Sequence, residues 1–323
     1  MVGLLAASAC GAPAPSSLAA TAAEPDVRSV LPDGASLVVL IRARELFEAE
    51  PSALAIRGLV RDEQLESIRV QHGIDPRTLD RIAFGTYESV DTAGHVLVLQ
   101  GPFRAEVAVA EIAHRMVPRE SSATGPLPRA GGLLHGTRMD ALAVGAHTLV
   151  LVFGPPALTA RVTRTLEGTS PPAVAGAVQQ ALARRSEPFV AMRPIPLDLP
   201  PGGSVALLLS EEQSLVVAAT PVAPDHVRIS VELSGGFPPG ADENFRRLVV
   251  SLAQSTMGTA LGLRSALGTL EVGATPTTVE LSADLDADEL GRGLGLIFRA
   301  EIAEALGEAG GVDPPEGPSS TDN

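Results

Sequence analysis

Short apolar runs rich in β-branched residues alternate along this chain with longer stretches of helical period. Residues 36–42 (SLVVLIR) form the first such run and read as a buried strand, entered through the turn Pro32-Asp33-Gly34. Residues 45–72 read as mostly helical, broken at Pro51, with Leu65 and Ile68 on one face and Gly73 as the stop. Asp75 and Pro76 predict one short capped turn, because an aspartate accepts early backbone N–H groups and a proline needs none. Strands follow at 81–87 and 95–100, joined by a polar loop with Asp91 and Gly94. Val109, Ile112, Ala113 and Met116 then fall on one face of a helix over 103–116.

A Pro/Ser/Gly loop at 118–128 precedes three short strands near 132–138, 140–145 and 147–153. Helices are expected near 156–166 and 172–184. Residues 188–203 hold five prolines and two glycines and mark the best internal boundary. Three more strands read at 204–209, 214–219 and 226–233. In the last, Val227, Ile229, Val231 and Leu233 alternate with polar neighbours, so one face is expected to be wet. A long helix from Asp242 places Phe245, Leu248, Val249, Leu252, Thr256 and Leu263 along one side. A hairpin over 269–274 and 278–283 leads to a final helix through Leu306, capped by Asp286 with Glu289 three residues on.

Two stretches share the order βαββα: residues 36–116 and residues 226–306. This predicts an α+β fold, an antiparallel sheet or sheets with helices on one face, with a possible duplication of βαββα units. The organisation expected is a first α+β half at 27–187, the Pro-rich connection at 188–203, a second α+β half at 204–307 and an acidic tail at 308–323 without apolar period.

The 323 residues, 45% of them hydrophobic, suffice for a large core. After the N-terminus no run of eighteen apolar residues occurs, so no transmembrane helix is expected in the body. The net charge of −14 repels phosphate backbones and disfavours nucleic-acid binding and adsorption to an anionic bilayer. All 24 basic residues are arginine. Without lysine there is no Walker A loop, no Schiff-base chemistry and no Ser-Lys dyad. Tryptophan is absent and Tyr87 is the sole tyrosine, which leaves few stacking platforms for sugars or bases. One cysteine excludes an internal disulfide and a cysteine zinc site.

That cysteine is Cys10. It follows Leu4-Leu5-Ala6-Ala7-Ser8-Ala9 and precedes Gly11 and a Pro/Ala/Ser tract. Residues 1–10 resemble a truncated bacterial lipoprotein signal with its lipobox. The resemblance implies lipid attachment at Cys10 and a location in the cell envelope. Gly11, where inner-membrane retention uses Asp, favours the outer membrane over the inner. Residues 11–26 (GAPAPSSLAATAAEPD) read as a flexible tether whose sixteen residues reach at most about 55 Å.

Candidate chemistry is sparse. His95, His147 and His226 each stand at the start of a strand, and a metal site would need those strand ends to meet. His72, His114 and His135 complete the set, with no HxH, HxxxH or HExxH spacing. Asp284, Asp286 and Asp288 lack the glycine and the distal glutamate of a calcium loop, so helix capping explains them better. Gly291, Gly293 and Gly295 give GxGxG without the βαβ context of a dinucleotide site. No GxSxG elbow occurs. No catalytic residue, metal site or cofactor is assigned. The expected role is a membrane-tethered envelope lipoprotein acting as a non-catalytic protein-interaction or assembly component. The alternatives are a periplasmic-side carrier or sensor of an apolar ligand and an enzyme of unrecognised type.

Overall fold

The computed structural model describes residues 24–89, 91–119, 127–134, 136–173, 187–193 and 214–305. Among these, twelve strands form one antiparallel sheet: β1 Leu37–Ile41, β2 Arg81–Tyr87, β3 Gly94–Gln100, β4 Val117–Pro118, β5 Arg129–Leu134, β6 Thr137–Ala143, β7 Thr148–Phe153, β8 Phe189–Arg193, β9 Ser214–Ala223, β10 His226–Ser234, β11 Glu271–Ala274 and β12 Thr278–Asp286. Their order is β11-β12-β10-β9-β8-β1-β2-β3-β7-β6-β5-β4. The helices are α1 Val27–Val30, α2 Ala43–Glu48, α3 Glu50–Leu59, α4 Asp62–His72, α5 Ala105–Ala113, α6 Pro156–Leu166, α7 Ala241–Gln254, α8 Thr256–Ala260, α9 Leu263–Ala266 and α10 Ala287–Ala305. The α+β architecture is the one the hydrophobic pattern predicts.

The sheet is organised about the antiparallel pair β1–β8. Outward from that pair the order is β1-β2-β3-β7-β6 on one side and β8-β9-β10-β12-β11 on the other. In each arm a hairpin is followed by a helix, α5 or α7. A second hairpin then places its last strand beside the first hairpin. Both βαββα stretches of the sequence are present in that element order. Their strand neighbours differ, however: β1 lies beside β2, whereas β10 lies beside β12. The arrangement that recurs is the one counted from β1 and from β8. Strand β8 lies in the segment read as a Pro-rich connection, because Phe189–Arg193 is too short a run to stand out beside five prolines.

Alternation along the strands separates two faces. Val96, Val98, Val150 and Val152 join Val27, Val30, Leu158 and Val162 of α1 and α6. Their neighbours Leu97, Leu99, Leu149 and Leu151 point the other way and pack with Val109 and Ile112 of α5. The first half of the sheet is therefore covered by helix on both faces, a layer more than the single-faced pattern expected. In the second half the described helices lie on one face. Leu233 and Val279 pack with Phe245 of α7, and Val227 packs with Ala55 of α3 and Ala287 of α10. Helix α3 thus carries the first half of the chain onto the second.

The contact between α3 and α10 accounts for the glycine run. A Cβ at Gly291 would lie 2.6 Å from the Ala55 carbonyl oxygen, and one at Gly58 2.5 Å from the Gly291 carbonyl carbon. Gly293 faces the Ala260 carbonyl of α8 just as closely. Bare backbone on α10 lets it wedge between two helices. The helix expected from Asp242 onward is broken twice. The Ser255 hydroxyl accepts the Gly258 N–H and starts a new turn, and Gly262 takes φ +72°. The strands expected at 132–138 and 140–145 run instead over β5 and β6, because Gly136 at φ +82° supplies the turn. Asp75 caps its short turn as expected, accepting the Arg77 N–H at 3.0 Å. The strand expected at 204–209 and the tail at 308–323 lie outside the described residues, as does the helix expected at 172–184 beyond Ala173; its first residue, Pro172, forms an antiparallel bridge with Pro32.

Candidate functional site

The second half of the sheet presents a row of polar residues on regular structure. The residues of β10 that alternate with its apolar row are Arg228, Ser230 and Glu232. Across the pair they meet Asp284, Ser282 and Glu280 of β12 in register. Glu271 and Gly273 of β11 extend the row to the sheet edge. The twist of the sheet makes the row a shallow trough of about 500 Å³ lined by Ser230, Glu232, Glu271, Gly273, Glu280 and Ser282 together with Val231, Val272 and Leu281.

Two kinds of pairing run along this trough. At one end the Arg228 guanidinium grips Asp284 through two hydrogen bonds of 2.6 and 3.0 Å. That hydrogen bonding holds the Asp284 carboxyl below its ordinary range and raises Arg228. At the other end Glu232 and Glu280 stand in register across the strands. The Ser282 hydroxyl donates to Glu271 at 3.4 Å. Beyond Arg228, His226 contacts Asp225 at 2.6 Å; that hydrogen bond, with the charges of Asp225, Asp286 and Asp284, raises the imidazole above its usual value. These groups can bind polar or cationic surfaces.

The three strand-start histidines do not meet. Strands β3 and β7 are antiparallel, so His95 and His147 lie at opposite ends, and β10 stands five places from β3 in the sheet. His95 stacks on Phe84 at 5.4 Å, and the His147 Nδ1 lies 2.7 Å from the Phe103 carbonyl oxygen. His114 is the C-cap of α5, and His72 ends α4. His135 lies outside the described residues. Of the three aspartates, Asp286 accepts the Glu289 N–H at 2.9 Å as a helix cap, Asp284 binds Arg228 and Asp288 pairs with Arg292. The Glu289 side chain does not close a capping box but accepts from Ser265 at 2.9 Å. Cys10 lies outside the described residues.

A second concavity of about 770 Å³ runs beside the end of α6. It is lined by Pro25, Leu127, Val144, Leu166 and Pro172 together with Thr163 and Thr165. Ser29, Glu167, Thr169 and Ser170 add polar groups to its wall, and it opens to solvent. The trough and this groove were not legible in the sequence. Alternation at 226–233 signalled a wet face, but only strand order brings Glu271, Glu280 and Glu232 together.

No helix of the described residues is long and apolar enough to cross a membrane. No protein-family profile and no curated protein matches the sequence. Among solved structures, the chain is similar to crystal form I of TP0453, with a TM-score of 0.49 and 9% identity over 86% of this chain and 100% of that one. Crystal form III gives a TM-score of 0.46 and 11% identity over 85% and 100%.

Proposed function

We propose that this chain is a lipid-anchored protein of the bacterial cell envelope whose body binds another envelope protein and catalyses no reaction. The observation that carries the binding role is the trough on β10–β12. A regular sheet presents a row of charged and hydroxyl groups there, Glu232, Glu271 and Glu280 beside Ser230 and Ser282. Three carboxylates along one row favour a partner surface of complementary positive charge. The lipobox-like residues before Cys10 and the tether after it support the anchor, and Gly11 favours the outer membrane over the inner. The acidic body leaves the lipid as its hold on an anionic bilayer.

Two measurements test this reading. Expressed in bacteria with its native upstream region, the wild-type chain should partition into membranes and Cys10→Ser should not. Equal solubility of the two would refute the anchor. A photo-crosslinking residue at Ser230 should then yield a defined protein adduct that Glu232→Arg/Glu280→Arg abolishes. The same adduct from both would refute the trough as the contact. The groove beside α6 favours a second reading, a carrier of an apolar ligand. It requires lipid to co-purify with the soluble body in mass spectra.

A further inference from the structure

Glu24 is exposed, yet its carboxylate is held by two hydrogen bonds. Its carboxylate accepts the His147 backbone N–H at 2.9 Å and the Thr148 hydroxyl at 2.6 Å. The Gln100 amide donates to that same hydroxyl oxygen at 3.0 Å and to the Pro25 carbonyl at 3.2 Å. Thr148 is fully buried, and a side chain at Gly145 would run into the Glu24 carboxylate. This is a fitted cradle, with a buried hydroxyl, an aligned N–H and a missing Cβ. Immediately beyond it Asp26 caps α1, and Val27, Val30 and Leu31 enter the core.

The cradle stands at one end of the strands. Thr148 opens β7 and pairs with Gln100, the last residue of β3, which pairs in turn with Arg81 at the start of β2. The loops at this end are tied together, since the Ala105 N–H donates to the Ala146 carbonyl. Tyr87, Gly94 and Phe153 occupy the opposite end. Seven-residue strands separate the two ends by about 20 Å.

We propose that the cradle end of the sheet, with the loops 101–105 and 143–147, is the pole of the body that faces the lipid surface. The proposal rests on the anchor reading at Cys10. Thirteen residues, 11–23, separate that cysteine from Glu24 and span at most about 45 Å whatever their conformation. The cradle stops the tether there. Beyond it the Asp26 cap and the buried Val27, Val30 and Leu31 keep the exit of the chain at this end, so losing the Glu24 contacts would add only residues 24 and 25, about 7 Å, to the leash. The net charge of −14 opposes contact between the rest of the body and an anionic bilayer.

Lipidation consumes the Cys10 thiol, so an introduced cysteine is a unique labelling site. Arg104 and Glu88 are both exposed and lie near opposite ends. Full-length lipidated Arg104→Cys and Glu88→Cys proteins would carry a donor fluorophore in vesicles of phosphatidylethanolamine and phosphatidylglycerol containing acceptor-labelled lipid. Energy transfer should be higher at position 104 than at 88. The difference should persist in a Glu24→Ala background, because Asp26 and the buried α1 still fix the exit of the chain at this end. Equal transfer at the two positions overturns the proposal, as does higher transfer at position 88. Vesicle retention of Cys10→Ser would instead refute the anchor itself.

Discussion

At the scale of single residues the buried polar groups carry the testable consequences. The Tyr87 hydroxyl donates to the Pro32 carbonyl at 2.9 Å, and the Arg161 guanidinium sits 5.7 Å from its ring. Tyr87→Phe should leave that buried carbonyl without its donor and cost about 1–3 kcal/mol, measured by denaturant unfolding. Desolvation raises the phenol well above its ordinary value near 10, opposed by the nearby Arg161 charge. The unfolded chain therefore releases this proton first, and Tyr87 should make stability fall as pH rises past about 10, a slope absent in the phenylalanine variant. The imidazole of His226 behaves as a local reporter. Its NMR titration midpoint should lie above the ordinary histidine value and fall in Asp225→Asn. A midpoint unchanged by that substitution would show that the pair does not persist in solution. That Tyr87 was the sole tyrosine was legible in the sequence, but that it bonds residue 32 was not. The hydroxyl reaches across 55 positions, and only folding sets that distance.

At the scale of elements, the first helical turn and the last helix are held by different physics. Val27, Val30 and Leu31 are almost wholly buried. Burial of each is worth about 1.5–3 kcal/mol, and a domain's whole stability is about 5–15 kcal/mol. Deleting residues 1–23 should leave Tm unchanged, whereas deleting 1–31 should abolish cooperative unfolding or lower Tm steeply. The contact of α10 with α3 depends on absent side chains, so Gly291→Val should cost about 1–3 kcal/mol or more through overpacking. An unchanged Tm in that variant would mean the two helices are not pressed together. Strands with clear alternation, such as β10, and capped starts, such as Asp286 before α10, are local signals and were readable. The four-residue α1 and the five-residue β8 were not, because each owes its conformation to the surfaces it lies between.

For the whole molecule, one sheet runs through both halves of the chain, and α3 packs across the junction. Calorimetry should therefore show a single unfolding transition; two resolved transitions would mean the β1–β8 pair is too weak to couple the arms. The acidic balance, the absence of lysine, the lone Cys10 and the Pro/Ala/Ser tract follow from residue identities and need no fold to interpret. Alternation and capping residues likewise determined most strands, several helix starts and the α+β class, because those signals act within a few residues. Strand order, the shared pattern about β1 and β8, the facing glutamates and the cradle for Glu24 were decided by tertiary structure alone. Each joins groups tens to more than a hundred positions apart, as Glu24 and Thr148 are, and no local pattern encodes which surfaces will meet.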